Sequence, residues 1–476
     1  MTARQYVTGR GLFWAVLIGL SIVAAVLPLL GDPVTTTVVA IAAVILLINV
    51  FFIVKYPFYG LLLYLAVFLV RPGELFPVVS HLRVELLIGC VTLISIAVNQ
   101  KLRRGVLFFP RDRVTLSLAA FQAAILLSIF TSYEKTQTFE HFIMFLKVLV
   151  FYYLIVTLVT SKRRFMVFVS MFLLLIAYMA SSSMYSYLAG QFTHTMNVDR
   201  LTGTSSSGGD PNTLATTLVS TIPLIVASAL CYRRKLFKVG LLILSLSLIA
   251  LVVITASRGG LLALLGAIIG GVALSRRKVL VAAMAILLAI IAWYAMPHQY
   301  QARYERFSEI STDVNQASSG RWEIWAAGLQ MITAHPIIGI GAGAFPWAYS
   351  SGDYGHPQFM KSHNVYIQVA ATTGLAGLSI WAFFLVSVLG VLNRVAAQAR
   401  DRPGLRWAFL YRNGVMVVLI ALGVAGMFGH SLYRYTWYMA GALAVSLTNI
   451  LATTGELQVD EDMGRADRKL PADSAA

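Results

Sequence analysis

The chain has 476 residues, of which 58% are hydrophobic and only 12% charged, with a mean hydropathy of +0.77. A soluble domain carries about 45–50% apolar and about 25% charged residues, and burial in one core saturates with size. The composition therefore excludes a soluble globular enzyme, a disordered chain and a coiled coil, and leaves lipid as the medium that takes up the apolar surface. The net charge of +17 is not a nucleic-acid footprint, because the basic residues fall in short clusters between apolar runs.

Those runs lie at 12–30, 34–54, 58–70, 84–98, 114–130, 142–160, 165–188, 213–231, 238–255, 260–274, 279–296, 366–392, 414–429 and 436–452. About 20 apolar residues cross a bilayer. The runs at 58–70, 84–98 and 260–274 are short and read as half-spans or tilted neighbours. The expected fold is an all-α polytopic membrane protein with about 12–14 transmembrane helices. The first run has no small-residue cleavage site before Gly31-Asp32-Pro33, so it reads as an uncut helix. Cys90 and Cys231 both sit in apolar stretches and suggest neither a disulfide framework nor a metal cluster.

Charge sets the expected topology. With the N-terminus inside and the runs alternating, 26 of the 37 Lys and Arg residues fall on inner segments, as the positive-inside rule requires. Both termini are then inside. The inner loops are short and basic. The outer face holds the longer pieces 71–83, 189–212 and 297–363. The last of these is rich in aromatics and aliphatics, so it is expected to fold rather than stay loose. Four parts follow: transmembrane helices over 1–296, a large outer loop over 297–363, C-terminal transmembrane helices over 364–455, and a disordered tail over 456–476.

The polar residues of the outer segments carry the candidate chemistry. In 202–212 a Ser/Gly-rich, flexible stretch runs into Asp210-Pro211-Asn212. Asp210 reads as a helix cap with Pro211 in the first position, and Asn212 is a candidate for contacting sugar hydroxyls. Arg258, in Ser257-Arg258-Gly259, stands between two apolar runs, where a charge is expensive unless paired. It either snorkels into headgroups or is a fixed cation for an anionic, lipid-linked ligand. Over 321–333, Trp322, Trp325, Leu329 and Ile332 follow a helical period, which predicts an interfacial helix with aromatics at headgroup level. Arg321 opens that helix, where the dipole disfavours a cation. It is held by lipid phosphate, by a carbonyl, or by a ligand phosphate that its guanidinium fits bidentately. Pro336 to Gly343, with Gly339 and Gly341, reads as a backbone turn, since it lacks the strand, helix and Lys-Ser/Thr of a nucleotide loop.

His363 lies where the large loop re-enters the membrane, next to Asn364 and before a helix. A helix N-terminus disfavours imidazolium and lowers its pKa, so His363 is either a cap or a neutral general base. Gly374 and Gly377 are expected to let a neighbouring helix approach closely. The outer carboxylates show no glycosidase spacing, and no histidine pair has ligand spacing, so no metal site is expected.

Taken in order, Ser257-Arg258-Gly259, Arg321-x3-Trp325, Pro336-x2-Gly339-x-Gly341, and His363-Asn364 followed by Gly374, Gly377 and Leu378 resemble the O-antigen ligase and O-antigen polymerase superfamily of bacterial envelope proteins. Asp210-Pro211-Asn212 is similar as well. The resemblance spans about 200–390 and is only architectural before that. It implies a glycosyltransferase in the bacterial inner membrane, with its active face periplasmic and 297–363 as a partly helical periplasmic loop. It implies transfer from an undecaprenyl-diphosphate-linked glycan to a hydroxyl acceptor, without metal or other cofactor. It implies that Arg258 and Arg321 hold the diphosphate and that His363 is the catalytic base, with Asn364 and Asn212 as further substrate contacts. The acceptor is lipid A core, a glycan or a protein hydroxyl. A polymerase of the same superfamily and a non-enzymatic multi-spanning transporter are the alternatives. The remaining partners are membrane lipids; no nucleic acid is expected.

Overall fold

The computed structural model describes residues 33–71, 74, 84–104, 109–195, 198–203, 209–296, 298–305, 320–354 and 358–467. In chain order the helices are α1 (Pro33–Lys55), α2 (Pro57–Val70), α3 (Val84–Arg104), α4 (Arg113–Leu127), α5 (Lys135–Leu158), α6 (Lys162–Leu188), α7 (Pro211–Cys231), α8 (Lys235–Ile254), α9 (Arg258–Leu274), α10 (Lys278–Ala295), α11 (His298–Glu305), α12 (Arg321–Ala334), α13 (Phe345–Ser350), α14 (Val365–Ala399), α15 (Arg406–Gly426) and α16 (Tyr435–Asp467). Among the described residues, seven helical stretches are long and apolar enough to cross a membrane: α4 with its following 3-10 turn, α5, α6, α7, α8, α14, and α15 with its preceding turn. Shorter apolar helices lie in α1, α2, α3, α9 and α10. The chain is an all-α polytopic membrane protein. The expected first span, 12–30, lies outside the described residues.

Helix starts follow from side chains that satisfy orphan N–H groups. Asp112 accepts from the backbone N–H of Val114 and Thr115. Ser161 does so for Arg164, Asp210 for Asn212 and Thr213, Ser257 for Gly260, and Asn364 for Tyr366 and Ile367. The only strands among the described residues are β1 (Thr193–Thr195) and β2 (Val198–Arg200), antiparallel with His194 opposite Asp199. This hairpin was not expected from the hydropathy of 189–212. Most of the Ser/Gly-rich stretch after it lies outside the described residues.

Two compact units emerge. In the first, α1, α2 and α3 pack on one another, and the Ser95 hydroxyl donates to the Ile53 carbonyl at 3.1 Å. In the second, α7 packs on α8, α9 and α15, while α14 packs on α4, α12, α15 and α16. On α9, Gly266 and Gly270 face Val424 and Ile420 so closely that a methyl group would stand 2.9 and 2.8 Å from them. Their bare backbones let α9 and α15 approach.

The glycine turn after α12 is not laid against lipid. Gly339, Ile340, Gly341 and Ala342 are buried, and the turn threads against a kink in α14 at Gly374 (φ 67°). The kink leaves carbonyls of α14 without helical donors. Ile340 N–H donates to the Ala371 carbonyl at 2.9 Å and Gly341 N–H to the Thr372 carbonyl at 3.1 Å, while Leu375 N–H donates to the Pro336 carbonyl at 2.8 Å. Gly374 therefore admits this turn rather than the neighbouring helix expected from sequence, and a Cβ there would strike the Ile337 carbonyl. α16 runs from Tyr435 through Asp467, and 468–476 lie outside the described residues.

Gly374→Ala should lower the thermal midpoint of the detergent-solubilised protein, since the left-handed conformation alone costs a non-glycine residue about 1–3 kcal/mol and the clash adds to it. Gly390→Ala on the same helix meets nothing within 4 Å and should raise stability by about 0.5–1 kcal/mol. Equal midpoints for the two variants would contradict the kink as a packing requirement.

Candidate functional site

Within the second unit, several helix ends meet around one cavity. Asp210, Asn212 and Thr213 come from the start of α7, and Ser257 and Gly260 from the start of α9. Arg321 opens α12, and His363 precedes α14. Phe428, His430 and Arg434 come from the connection between α15 and α16.

Arg321 follows Gly320, whose φ of 71° turns the chain into α12 without a side-chain cap. Its guanidinium lies 5.8 Å from the Phe428 ring centroid. Burial and the nearby Arg258 guanidinium both hold the Arg321 pKa below its ordinary value. Among the described residues no carboxylate forms an ion pair with Arg321. Arg258 is the first residue of α9 after the Ser257 cap. Its neighbours Ser257 and Gly259 line the cavity while it flanks them, within electrostatic reach of Arg321. Two cations and a helix N-terminus thus concentrate positive potential at one wall.

His363 stands between α12 and α14 with a left-handed backbone (φ 48°), rare for a non-glycine residue. Its pKa is lowered, first by burial, then by Arg321 and Lys361, with Asp210 acting in the opposite sense. Burial, rather than the helix N-terminus invoked from sequence, is the leading cause. The imidazole is therefore neutral at neutral pH and able to accept a proton. The His430 ring meets it edge-to-face, with centroids 5.3 Å apart. Burial drives the His430 pKa down to about 3, assisted by Lys361 and His363. Its Nδ1 is buried with no hydrogen-bond partner among the described residues. Asp210 is held below the ordinary carboxylate range by hydrogen bonds from Thr213 and by the nearby His430 and Arg434, against the opposing effect of its burial.

The five candidate residues are distributed unevenly. Arg321, His363 and Asn212 line the cavity and Arg258 flanks it. Asn212 also holds the fold together, for its Oδ1 accepts from Ser257 Oγ at 2.8 Å and from Arg200 Nη2 at 3.1 Å. Through these bonds the hairpin joins the starts of α7 and α9, since Arg200 Nε also donates to the Thr255 carbonyl at 2.9 Å. Asn364 is buried, spends its Oδ1 on capping α14, and does not line the cavity. His430 and Arg434 were missed by sequence reasoning. They occupy a short polar stretch between two apolar runs, the signal that picked out Arg258. Arg434 Nη2 donates to Thr213 Oγ1 at 3.0 Å. Among the described residues no cluster of three or more His, Cys, Asp or Glu side chains could hold a metal ion.

Residues 241–382 match the O-antigen ligase family. That segment contains Arg258, Arg321, His363 and Asn364, whereas Asp210, His430 and Arg434 lie outside it. No curated protein sequence matches the chain.

His430 is neutral in the fold down to about pH 3, whereas an unfolded chain protonates it below about pH 6.5. The unfolded state then binds more protons across that window, so stability rises with pH from about 3 to 6.5, with a slope approaching about 1.4 kcal/mol per pH unit. His430→Phe should flatten the thermal-midpoint profile between pH 6.5 and 4. An unchanged slope would show that His430 is not buried neutral.

Proposed function

We propose that the chain is a glycosyltransferase of the O-antigen ligase and polymerase superfamily, moving an undecaprenyl-diphosphate-linked glycan to a hydroxyl acceptor at the outer face of the bacterial inner membrane; the match of residues 241–382 to the O-antigen ligase family supports this reading. The observation that carries this reading is the cavity itself: Arg321 and His363, far apart in sequence, face one space with Arg258 beside it.

The chemistry needs two kinds of group. As the acceptor oxygen bonds to the anomeric carbon, the bond from that carbon to the carrier diphosphate breaks and charge develops on the leaving oxygens. Arg258 and Arg321 stabilise that charge and are already oriented for it. The acceptor proton passes to neutral His363, which stays uncharged because burial and Arg321 oppose protonation. The displacement is direct and metal-independent, the guanidinium pair taking the place of a divalent cation.

Topology supports the outer face. The cavity gathers the N-terminal ends of α7 and α9 and the C-terminal end of α15. The opposite ends of these helices adjoin Arg233-Arg234-Lys235, Arg276-Arg277-Lys278 and Arg402 to Arg406, the basic clusters that mark the cytoplasmic side. Lipid A core, the growing glycan or a protein hydroxyl would use the same groups, so ligase and polymerase differ here only in the acceptor.

His363→Ala should lower transfer of a purified undecaprenyl-diphosphate-linked glycan roughly 10²–10⁴-fold, as loss of a general base does, and Arg321→Ala or Arg258→Ala should each lower kcat roughly 10²–10³-fold, as loss of one oxyanion contact does. Excess EDTA should leave the rate unchanged. Mass analysis of products reads all three. Parental turnover by the His363 variant removes the base, and loss of activity in EDTA removes the metal-independent clamp.

A further inference from the structure

The Arg-x3-Trp spacing places Arg321 and Trp325 one helical turn apart on α12, so both side chains project from the same side. Trp322, whose ring meets that of Trp325 edge-to-face with centroids 5.4 Å apart, is 53% exposed. Trp325 does not share that exposure, contrary to the interfacial stripe expected from sequence. Its indole turns inward, and Nε1–H donates to the carbonyl of Ser362 at 3.1 Å. Ser362 is buried and immediately precedes His363.

The peptide joining Ser362 to His363 is thereby held from both sides. Upstream, its carbonyl is taken by the indole. Downstream, Asn364 is fixed by its cap on α14, and the Ser362 hydroxyl donates to the Asn364 carbonyl at 3.2 Å. Between these anchors His363 keeps the left-handed backbone that a non-glycine residue seldom adopts, a conformation that persists only where its surroundings impose it. Rotation of this peptide would swing the imidazole relative to the Arg321 guanidinium.

We propose that Trp325 is a positioning residue for transfer: its indole N–H, carried by the helical turn that begins with Arg321, fixes the backbone of His363 and so sets the base at a constant separation from the diphosphate clamp. This rests on His363 acting as the base. Trp325 does not line the cavity, so its removal acts on turnover and not on donor binding. The Arg-x3-Trp motif is then a mechanical unit, one residue holding the leaving group and the other aiming the proton acceptor.

The test is Trp325→Phe, which keeps an aromatic ring and deletes the N–H. Undecaprenyl diphosphate serves as the donor-site probe, and a purified undecaprenyl-diphosphate-linked glycan measures turnover. The expected result is a probe affinity within about twofold of the parent, a matched thermal midpoint, and kcat lower by roughly tenfold to a hundredfold, the scale of a slightly misplaced catalytic group. On a His363→Ala background the same substitution should cause no further loss of the residual rate, because it acts through His363. Unchanged kcat, a parallel fall in probe affinity and kcat, a lowered midpoint, or additive loss on the His363→Ala background would each overturn the proposal. His363→Ala alone working at the parental rate sinks the base reading instead. An inactive His363→Ala with a silent Trp325→Phe sinks only the role of Trp325.

Discussion

The positive charge of Arg321, held without a paired carboxylate among the described residues and next to an imidazole that stays uncharged at neutral pH, is the constraint on which this site depends. Arg321 loses hydration by burial and faces the field of Arg258, and each begins a helix whose dipole points the wrong way for a cation. Such an arrangement costs the resting fold free energy that a bound anion returns. The same field, together with burial, keeps His363 neutral. One electrostatic arrangement thus gives the cavity positive potential and leaves the His363 imidazole uncharged.

The fold holds this arrangement by placing the site where helices begin and end, so that backbone turns rather than long side chains set the distances. The hairpin fastens α7 to α9 through Arg200, Asn212 and Ser257. The glycine turn after α12 is clamped to the kinked α14 by backbone bonds. Both attachments lie within a few residues of Arg258 or on the two helices flanking His363. Structural and chemical roles therefore overlap in the same short segments, as Asn212 and Asp210 illustrate.

Much of this was legible in the chain. The apolar runs from α1 onward reappear as helices, because lipid demands one dominant pattern, although α5, α14, α15 and α16 extend well past their runs. Asp210 announced a helix start through side-chain chemistry. Arg258, Arg321 and His363 stood out as costly groups at the membrane edge. What sequence could not give was contact across the chain. His430 follows no spacing rule relative to His363, and only folding brings the rings together. Trp325 was assigned to the lipid interface by helical period alone, yet period cannot tell which neighbour a face will meet. Gly374 marked close approach correctly but not its partner, since a helix and a turn both require a missing Cβ.

The shared electrostatics of clamp and base can be measured directly. Histidine-labelled protein would be titrated by NMR with and without saturating undecaprenyl diphosphate, following the His363 imidazole. Neutralising Arg321 with an anion removes one cause of the depressed pKa, so the His363 pKa should rise when the diphosphate binds, and this rise should vanish in Arg321→Gln. Binding of the diphosphate with no change in the His363 pKa would mean that anion and imidazole do not share one cavity.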